Sequence, residues 1–411
     1  MTTHEPPHEP PQEPSKEGPR VFEPVKLGDL TLPHRVTRTA AFEGMCPGGI
    51  PSADLVEHHR GMAAGGVALT TVAYCSVSPL GLTFGDQMWM REEVARELRK
   101  LTDAVHREGG AASLQLGHAG YFADKKLIGR APMGASRTYN LYGLALAKPM
   151  SEEEIFDVVG EFARAAVMAR EAGFDAVELH LGHGYLLSQF LSPYTNRRKD
   201  GWGGSLDHRA RFSLEVLRAV REAVGPGFPM VAKMNLTDGF KGGLSVDEAV
   251  LVAQKLERDG AVDGLVLSGG FVSKTPWYMM RGRVPVHEMA AVQSAWIRRM
   301  GLKLFGRVFV QYYPYEDLFF LEDAKRVRDA VELPLVLVGG IRSRDGMEKA
   351  VAQGFDLLAV GRALIRDPEF VKKIQSGEET LSECDQCNRC IAEMEKDGVR
   401  CVTVEDGPLD E

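Results

Sequence analysis

The stretch HLGHGYLLSQFLSP, residues 180–193, sets two histidines and a tyrosine directly behind an apolar run, Ala176–Leu179. A structural turn needs none of these groups. Two imidazoles three residues apart across a Leu-Gly turn can both donate to one carbonyl oxygen and stabilise enolate charge on it. A phenol on the other side can supply a proton. His180, His183 and Tyr185 are therefore the candidate catalytic residues. Taken singly, either histidine also suits a structural bond or a metal, although a zinc site wants a third ligand and an activated water.

Such groups work only if rigid elements hold them. From about Val21 the chain alternates short apolar runs with amphipathic stretches. The candidate strands are Arg35–Ala41, Val67–Cys75, Ala111–Leu116, Ala176–His180, Pro229–Asn235, Gly264–Ser268, Leu333–Val338 and Leu357–Val360. Runs of this kind suit strands covered on both faces. Helical patterns lie between them, among them Glu92–Gly109, Glu152–Gly173 and Ala210–Val224. The second opens with Ser151 and Glu154, a capping box in which each side chain can satisfy an otherwise unpaired N–H at the helix start. Eight strands, each followed by a helix or a long excursion, predict an α/β fold of the (β/α)8 TIM-barrel type. An open doubly wound sheet is the rival, but no G-x-G-x-x-G follows the first strand.

In such a barrel the working residues gather at the C-terminal ends of the strands, where all βα loops open. Strand three ends with Gln115 and His118, and strand five with Lys233 and Asn235. A lysine near the N1–C2=O edge of a flavin stabilises the anionic reduced ring, and Gln115 can bond the pyrimidine edge. Strand seven ends in Gly339-Gly340 and strand eight in Gly361-Arg362. Glycines there let backbone N–H groups approach a phosphate, a helix start adds a favourable dipole, and Arg362 adds a charge-assisted bond.

Composition narrows the class. Of 411 residues, 44% are hydrophobic and 26% charged, enough for a substantial core. The formal net charge of −8 argues against nucleic acid as a partner, because phosphate backbones are bound by clustered Lys and Arg. A small-molecule substrate remains the expected partner, with a homo-oligomer left open. Residues 1–20 are rich in Pro, Glu and His and read as a disordered tail. They contain no apolar signal region, and no run of 18 apolar residues occurs anywhere, so a cytoplasmic location is expected. Residues 21–375 form the expected barrel. Its insertion between strands six and seven, Phe271–Glu332, carries the aromatic and basic run Ala295–Phe320, read as a packed subdomain or subunit contact.

The block HLGHGYLLSQFLSPYTNRRKDGWGGSLDHRARF (180–212) resembles the signature of the old yellow enzyme family of FMN-dependent oxidoreductases. SLQLGHAG, the GG after strand seven and GRALIRDP agree in order and spacing, so that the resemblance covers about Val21 to Lys373. It implies non-covalent FMN, NAD(P)H as hydride donor and an electron-poor alkene as acceptor. It implies that His180 and His183 bind the substrate carbonyl and that Tyr185 protonates the α-carbon. Gln115, Lys233, Gly339, Gly340, Gly361 and Arg362 would hold FMN, with Thr39, Ala40 and Ala41 lining the ring. Lys233 stands where many members have Arg, keeping the charge without the planar fork. Phe42 falls near the position where members place a Thr or Cys beside flavin O4. No dinucleotide fingerprint chooses between NADH and NADPH.

The C-terminal segment, residues 376–411, contains CDQCNRCIAEMEKDGVRC, with Cys384, Cys387, Cys390 and Cys401 spaced C-x2-C-x2-C-x10-C. It resembles the cluster-binding segment of the larger dienoyl-CoA reductase branch, which has one more residue between its second and third cysteines. That resemblance implies a [4Fe–4S] cluster. The spacing itself leaves a cluster, a zinc ion and metal-free thiols open. A cluster would make the chain a dehydrogenase or demethylase passing electrons to a partner protein, the alternative to alkene reduction.

Overall fold

The computed structural model describes residues 20–140, 143–292, 299–300 and 311–406. Eight parallel strands follow one another around a closed barrel: β1 (Val36–Arg38), β2 (Leu69–Ser76), β3 (Ala111–Gly117), β4 (Ala176–Leu181), β5 (Met230–Asn235), β6 (Gly264–Ser268), β7 (Leu335–Val338) and β8 (Leu357–Val360). β8 pairs back onto β1, which closes the cylinder. Every residue of β2, β4, β5 and β6 is buried, because one face of each strand meets the barrel interior and the other meets a helix.

Several strands are shorter than their apolar runs, β1 and β7 the most. β1 ends at Arg38, so Thr39, Ala40 and Ala41 form the start of a loop at the mouth. β7 begins at Leu335, after Pro334, which has no N–H to give the ladder.

The main helices are α1 (Ala53–Ala64), α2 (Glu92–Arg107), α3 (Glu152–Glu171), α4 (Leu206–Val224), α5 (Val246–Asp259), α6 (Leu321–Arg328), α7 (Arg344–Ala352) and α8 (Phe370–Ser376). The capping box of α3 is formed: Glu154 N–H donates to Ser151 Oγ at 3.1 Å and Ser151 N–H to Glu154 Oε2 at 2.9 Å. Such a cap contributes about 1 kcal/mol. None of the described helices is long and apolar enough to cross a membrane.

Inside the barrel the two ends differ. A hairpin of Val25–Leu27 and Leu30–Leu32 plugs the N-terminal end, where Val25, Leu27 and Leu32 pack with Leu69, Val231, Val266, Val336 and Leu357. The C-terminal end is more polar, with Gln115, Glu178, His180 and Lys233 buried there. A three-stranded sheet from the loop after β3 (Met133–Gly134, Thr138–Asn140, Ala145–Pro149) stands beside it.

The C-terminal segment folds back over this mouth. Val399 N–H donates to Glu43 O at 2.7 Å in the loop after β1, and Ser382 N–H to Arg342 O at 2.8 Å after β7. Asn388 Nδ2 donates to Arg281 O and Arg283 O at 2.9 and 2.8 Å, in the loop after β6. Residues 1–19 of the expected tail, and most of the run Ala295–Phe320, lie outside the described residues.

Candidate active site at the barrel mouth

Strand periodicity brings the first group together. Successive β-residues alternate faces, so Glu178 and His180 on β4 point the same way. Register places Gln115 of β3 beside Glu178 and Lys233 of β5 beside His180. All four side chains therefore face the barrel interior near its open end, and all are buried. Gln115 Nε2 donates to Glu178 Oε1 at 2.6 Å, and Lys233 Nζ lies 3.4 Å from the same oxygen. Lys233 also donates to Thr39 Oγ1 at 3.2 Å and Ala40 O at 3.3 Å. β5 and β1 lie opposite each other in the ring, so this one ammonium bridges the mouth.

His180, His183 and Tyr185 form a second group just above. The His180 ring centroid lies 5.0 Å from that of His183 and 4.8 Å from that of Tyr185. Gly182 N–H donates to His180 Nδ1 at 3.3 Å. That bond makes Nδ1 an acceptor and leaves the proton of the neutral ring on Nε2. His183 adopts a left-handed backbone, φ 58°, and its N–H donates to Asn235 Oδ1 at 2.9 Å. Asn235 is itself fixed by donating to Asp238 Oδ1 and Gly270 O. His183 Nε2 lies 2.7 Å from Ser268 Oγ. Burial, then the charges of His183 and Lys233, hold His180 well below the ordinary histidine range; burial and Lys233 bring His183 down to about 3. Both shifts favour the neutral ring at physiological pH.

Tyr74, at the end of β2, completes an aromatic wall. Its ring centroid is 5.0 Å from that of Tyr185 and 6.3 Å from that of His180, and its hydroxyl lies 3.2 Å from Thr83 Oγ1. Burial pushes its phenol up to about 12. Ala40 packs against the cluster made by Tyr74, Ala119, Phe122 and Tyr185. Phe42 instead stacks on Phe84, centroids 4.6 Å apart.

The third group lies across the mouth. Gly339 and Gly340 have φ 103° and 75°, and a side chain on Gly340 would meet Leu318 N at 2.6 Å and Glu316 O at 2.8 Å. Glycine is therefore required there. Gly361 opens a short helix, Arg362–Arg366, with no side-chain cap. The Arg362 guanidinium donates to Arg281 O at 3.0 Å, to Asn388 Oδ1 at 2.6 Å and to Met280 O. All three acceptors are uncharged. Two of its five N–H groups stay without an acceptor among the described residues.

These features fit FMN. A half-buried guanidinium without a carboxylate partner, a glycine pair with positive φ and a helix start without a side-chain cap suit a phosphate, and an amide and an ammonium suit a pyrimidine edge.

Cys384, Cys387 and Cys390 lie near Arg362, and Cys401 near Arg366. Burial raises Cys384, Cys387 and Cys390, and the thiols raise one another further; Cys387 reaches about 11 and Cys390 about 12. Gln386 and Asn388, between the cysteines, have left-handed backbones of φ 62° and 60°. Among the described residues no set of three or more His, Cys, Asp or Glu side chains is arranged to hold a single metal ion.

Glu178, Tyr74 and Ser268 stand at the same mouth without being marked by the sequence motifs. Glu178 carried a signal: a carboxylate two residues before His180 inside an otherwise apolar run must share its inward face.

A family model for the NADH:flavin oxidoreductase / NADH oxidase family matches residues 20–267 and 310–380. The chain belongs to that family. It is 42% identical over 384 residues to 4,4'-dithiodibutanoate disulfide reductase of Rhodococcus erythropolis, covering 93% of this chain and 95% of the relative. It is 32% identical over 371 residues to a metal reductase of Desulforamulus reducens, covering 90% of this chain but only 51% of that protein, so it spans about half the length of such relatives. Its fold matches 2-naphthoyl-CoA reductase with a TM-score of 0.78 at 24% identity, over 93% of this chain and 56% of that one. The protein is thus an FMN-dependent oxidoreductase that draws electrons from NAD(P)H.

Proposed function

We propose that the acceptor is an alkene conjugated to a carbonyl, bound by His180 and His183 and protonated by Tyr185. The observation that carries this reading is the protonation state of His180: Nδ1 accepts a backbone N–H, so Nε2–H is free to donate into the mouth. FMN, when bound, would supply the hydride chemistry between the nicotinamide and the acceptor. Gln115 and Lys233 would hold its pyrimidine edge, Thr39, Ala40 and Ala41 would line the ring, and Gly339, Gly340, Gly361 and Arg362 would hold its phosphate.

The chain's own residues do the rest. Two neutral donors on the carbonyl oxygen draw electron density away from the β-carbon, which receives the hydride. They also stabilise the enolate charge that appears as it arrives. Tyr185 then delivers the second hydrogen as a proton to the α-carbon, and solvent restores the phenol. Neutral rings suit this task, because a cationic imidazole would hold the enolate too strongly to release it.

A second acceptor class has support in the relative from Rhodococcus erythropolis, whose name gives a disulfide as substrate. In that chemistry a hydride and one proton convert one S–S bond into two thiols, with Tyr185 as the acid for the departing sulfur and His180 and His183 as hydrogen-bond donors to it. The test is a direct comparison on FMN-loaded enzyme with NADH and NADPH: 2-cyclohexenone against 4,4'-dithiodibutanoate. Alkene turnover that falls at least a hundredfold in Tyr185→Phe supports the first reading. Turnover of the disulfide alone replaces it with the second.

Cys384, Cys387, Cys390 and Cys401 would be the donors of a [4Fe–4S] cluster only after their loop rearranged, since they are not arranged around one ion here. What favours it is their mutual interaction beside the half-buried Arg362, on a loop with two left-handed residues. Stoichiometric iron and acid-labile sulfide in anaerobically purified protein would support it, and iron-free protein with zinc or free thiols would overturn it.

A further inference from the structure

We infer that Glu178 sets the reduction potential of the flavin by partly neutralising Lys233. The inference rests on the reading above that Lys233 faces the pyrimidine edge. Glu178 is 4% exposed, and its Oε1 takes both the 2.6 Å bond from Gln115 Nε2 and the 3.4 Å contact with Lys233 Nζ. The two side chains meant to hold the electron-accepting end of the ring are thus joined through one carboxylate that the catalytic scheme does not use.

The charges around this pair are few. Lys233 is 2% exposed, and its other contacts are the neutral Thr39 Oγ1 and Ala40 O. Its positive charge reaches far enough to depress both His180 and His183. Below Glu178 lies a cavity of about 20 Å³ lined by Thr37, Arg38, Thr39, Thr71 and Ser113. Arg38 has its own counter-ion there, Glu43 at 2.7 Å. Glu178 is therefore the carboxylate that balances Lys233.

The sign follows from the charge on the cofactor. Two-electron reduction leaves the flavin ring anionic at N1, so an uncompensated ammonium beside N1 raises the potential. A carboxylate within 3.4 Å of that ammonium lowers it again. Glu178 would keep reduced flavin a strong hydride donor while leaving Lys233 charged for binding. It acts through Lys233 and is a positioning residue, not a catalytic one.

The experiment compares wild type, Glu178→Gln, Lys233→Met and the double variant, each loaded with FMN. Two equilibria are read that do not involve turnover: the FMN midpoint potential, and the dissociation constant of sulfite, which adds at N5 and leaves N1 anionic. Glu178→Gln should tighten sulfite about tenfold and raise the potential by ~30 mV, the two-electron equivalent of tenfold. Lys233→Met should move both the other way, and in the double variant the Glu178→Gln effect should shrink to less than half. Equal effects of Glu178→Gln with and without Lys233 overturn the inference, as does an unchanged potential in folded, FMN-loaded Glu178→Gln. If Glu178→Gln yields no folded protein, Glu178→Asp, which withdraws the carboxylate by one methylene, should shift both readings the same way by two- to fivefold; no shift there is equally fatal. Wild type that takes up no FMN would instead defeat the site reading itself.

Discussion

Ser268 Oγ stands 2.7 Å from His183 Nε2, joining the end of β6 to the residue that follows β4. The hydroxyl fixes the ring and couples its tautomer to a single rotor, which determines the nitrogen that can donate to a substrate oxygen. Ser268→Ala should lower kcat/KM for the alkene about fivefold, the worth of one hydrogen bond of ~1 kcal/mol. The rate of flavin reduction by NAD(P)H should stay within twofold. Stopped-flow measurement of the two half-reactions separates these effects.

His180 and Tyr185 should fail in different ways. His180→Ala removes a donor to the carbonyl in both ground and transition states, so KM should rise about tenfold or more along with a fall in kcat. Tyr185→Phe keeps the ring against Tyr74 and removes only the proton, so kcat should fall by roughly 10²-fold with KM little changed. Steady-state kinetics with a fixed NAD(P)H concentration give both numbers.

His118 makes stability pH-dependent. Gly120 N–H donates to its Nδ1 at 2.9 Å, its Nε2 is buried without a partner among the described residues, and burial lowers its pKa from 6.5 to about 3. The unfolded chain takes up a proton below pH 6.5 that the native ring refuses until about pH 3. Stability contributed by this group is complete above pH 6.5 and falls as the pH drops, by about 1.4 kcal/mol per unit. Urea unfolding at pH 7 and pH 5 should differ by ~2 kcal/mol more in wild type than in His118→Gln.

Arg362 should govern cofactor retention. Its three carbonyl-type acceptors hold the guanidinium in place without cancelling its charge. Arg362→Gln should weaken FMN binding at least tenfold, the loss of a charge-assisted bond of ~1.5–3 kcal/mol. Asn388→Ala, which removes one of the acceptors, should weaken it less. Fluorescence titration of apoprotein with FMN measures both.

Gly44 is a steric hinge point between the barrel and its C-terminal cover. Its φ is 70°, and a Cβ there would lie 2.1 Å from Met394 O. Gly44→Ala should destabilise the fold by about 1–3 kcal/mol and free the C-terminal segment for limited proteolysis ahead of the barrel.

The barrel was legible because parallel strands covered on both faces are mostly apolar, as Leu69–Ser76 and Gly264–Ser268 are, both buried throughout. The candidate trio was legible because its chemistry sits within six residues of one strand end. Contacts that join distant parts of the chain left no local trace. The spacing of Ser268 says nothing of His183, and nothing near Asn388 announces that its side chain will hold Arg362. The pairing of Lys233 with Glu178 leaves no trace in the sequence, because Glu178 looks like one more residue of a strand. The polar layer of Arg38, Glu43 and His59, with Glu43 Oε1 2.7 Å from Arg38 and 3.3 Å from His59 Nε2, was invisible for the same reason.

The bond from Val399 N–H to Glu43 O ties the first βα loop to nearly the last described residues of the chain. Synthesis runs from the N-terminus, so Glu43 leaves the ribosome long before its partner exists. The mouth is complete only once residues 388–399 have been made, and Arg362 lacks Asn388 until then. A chain cut short before Val399 would carry the candidate trio on an unfinished cradle.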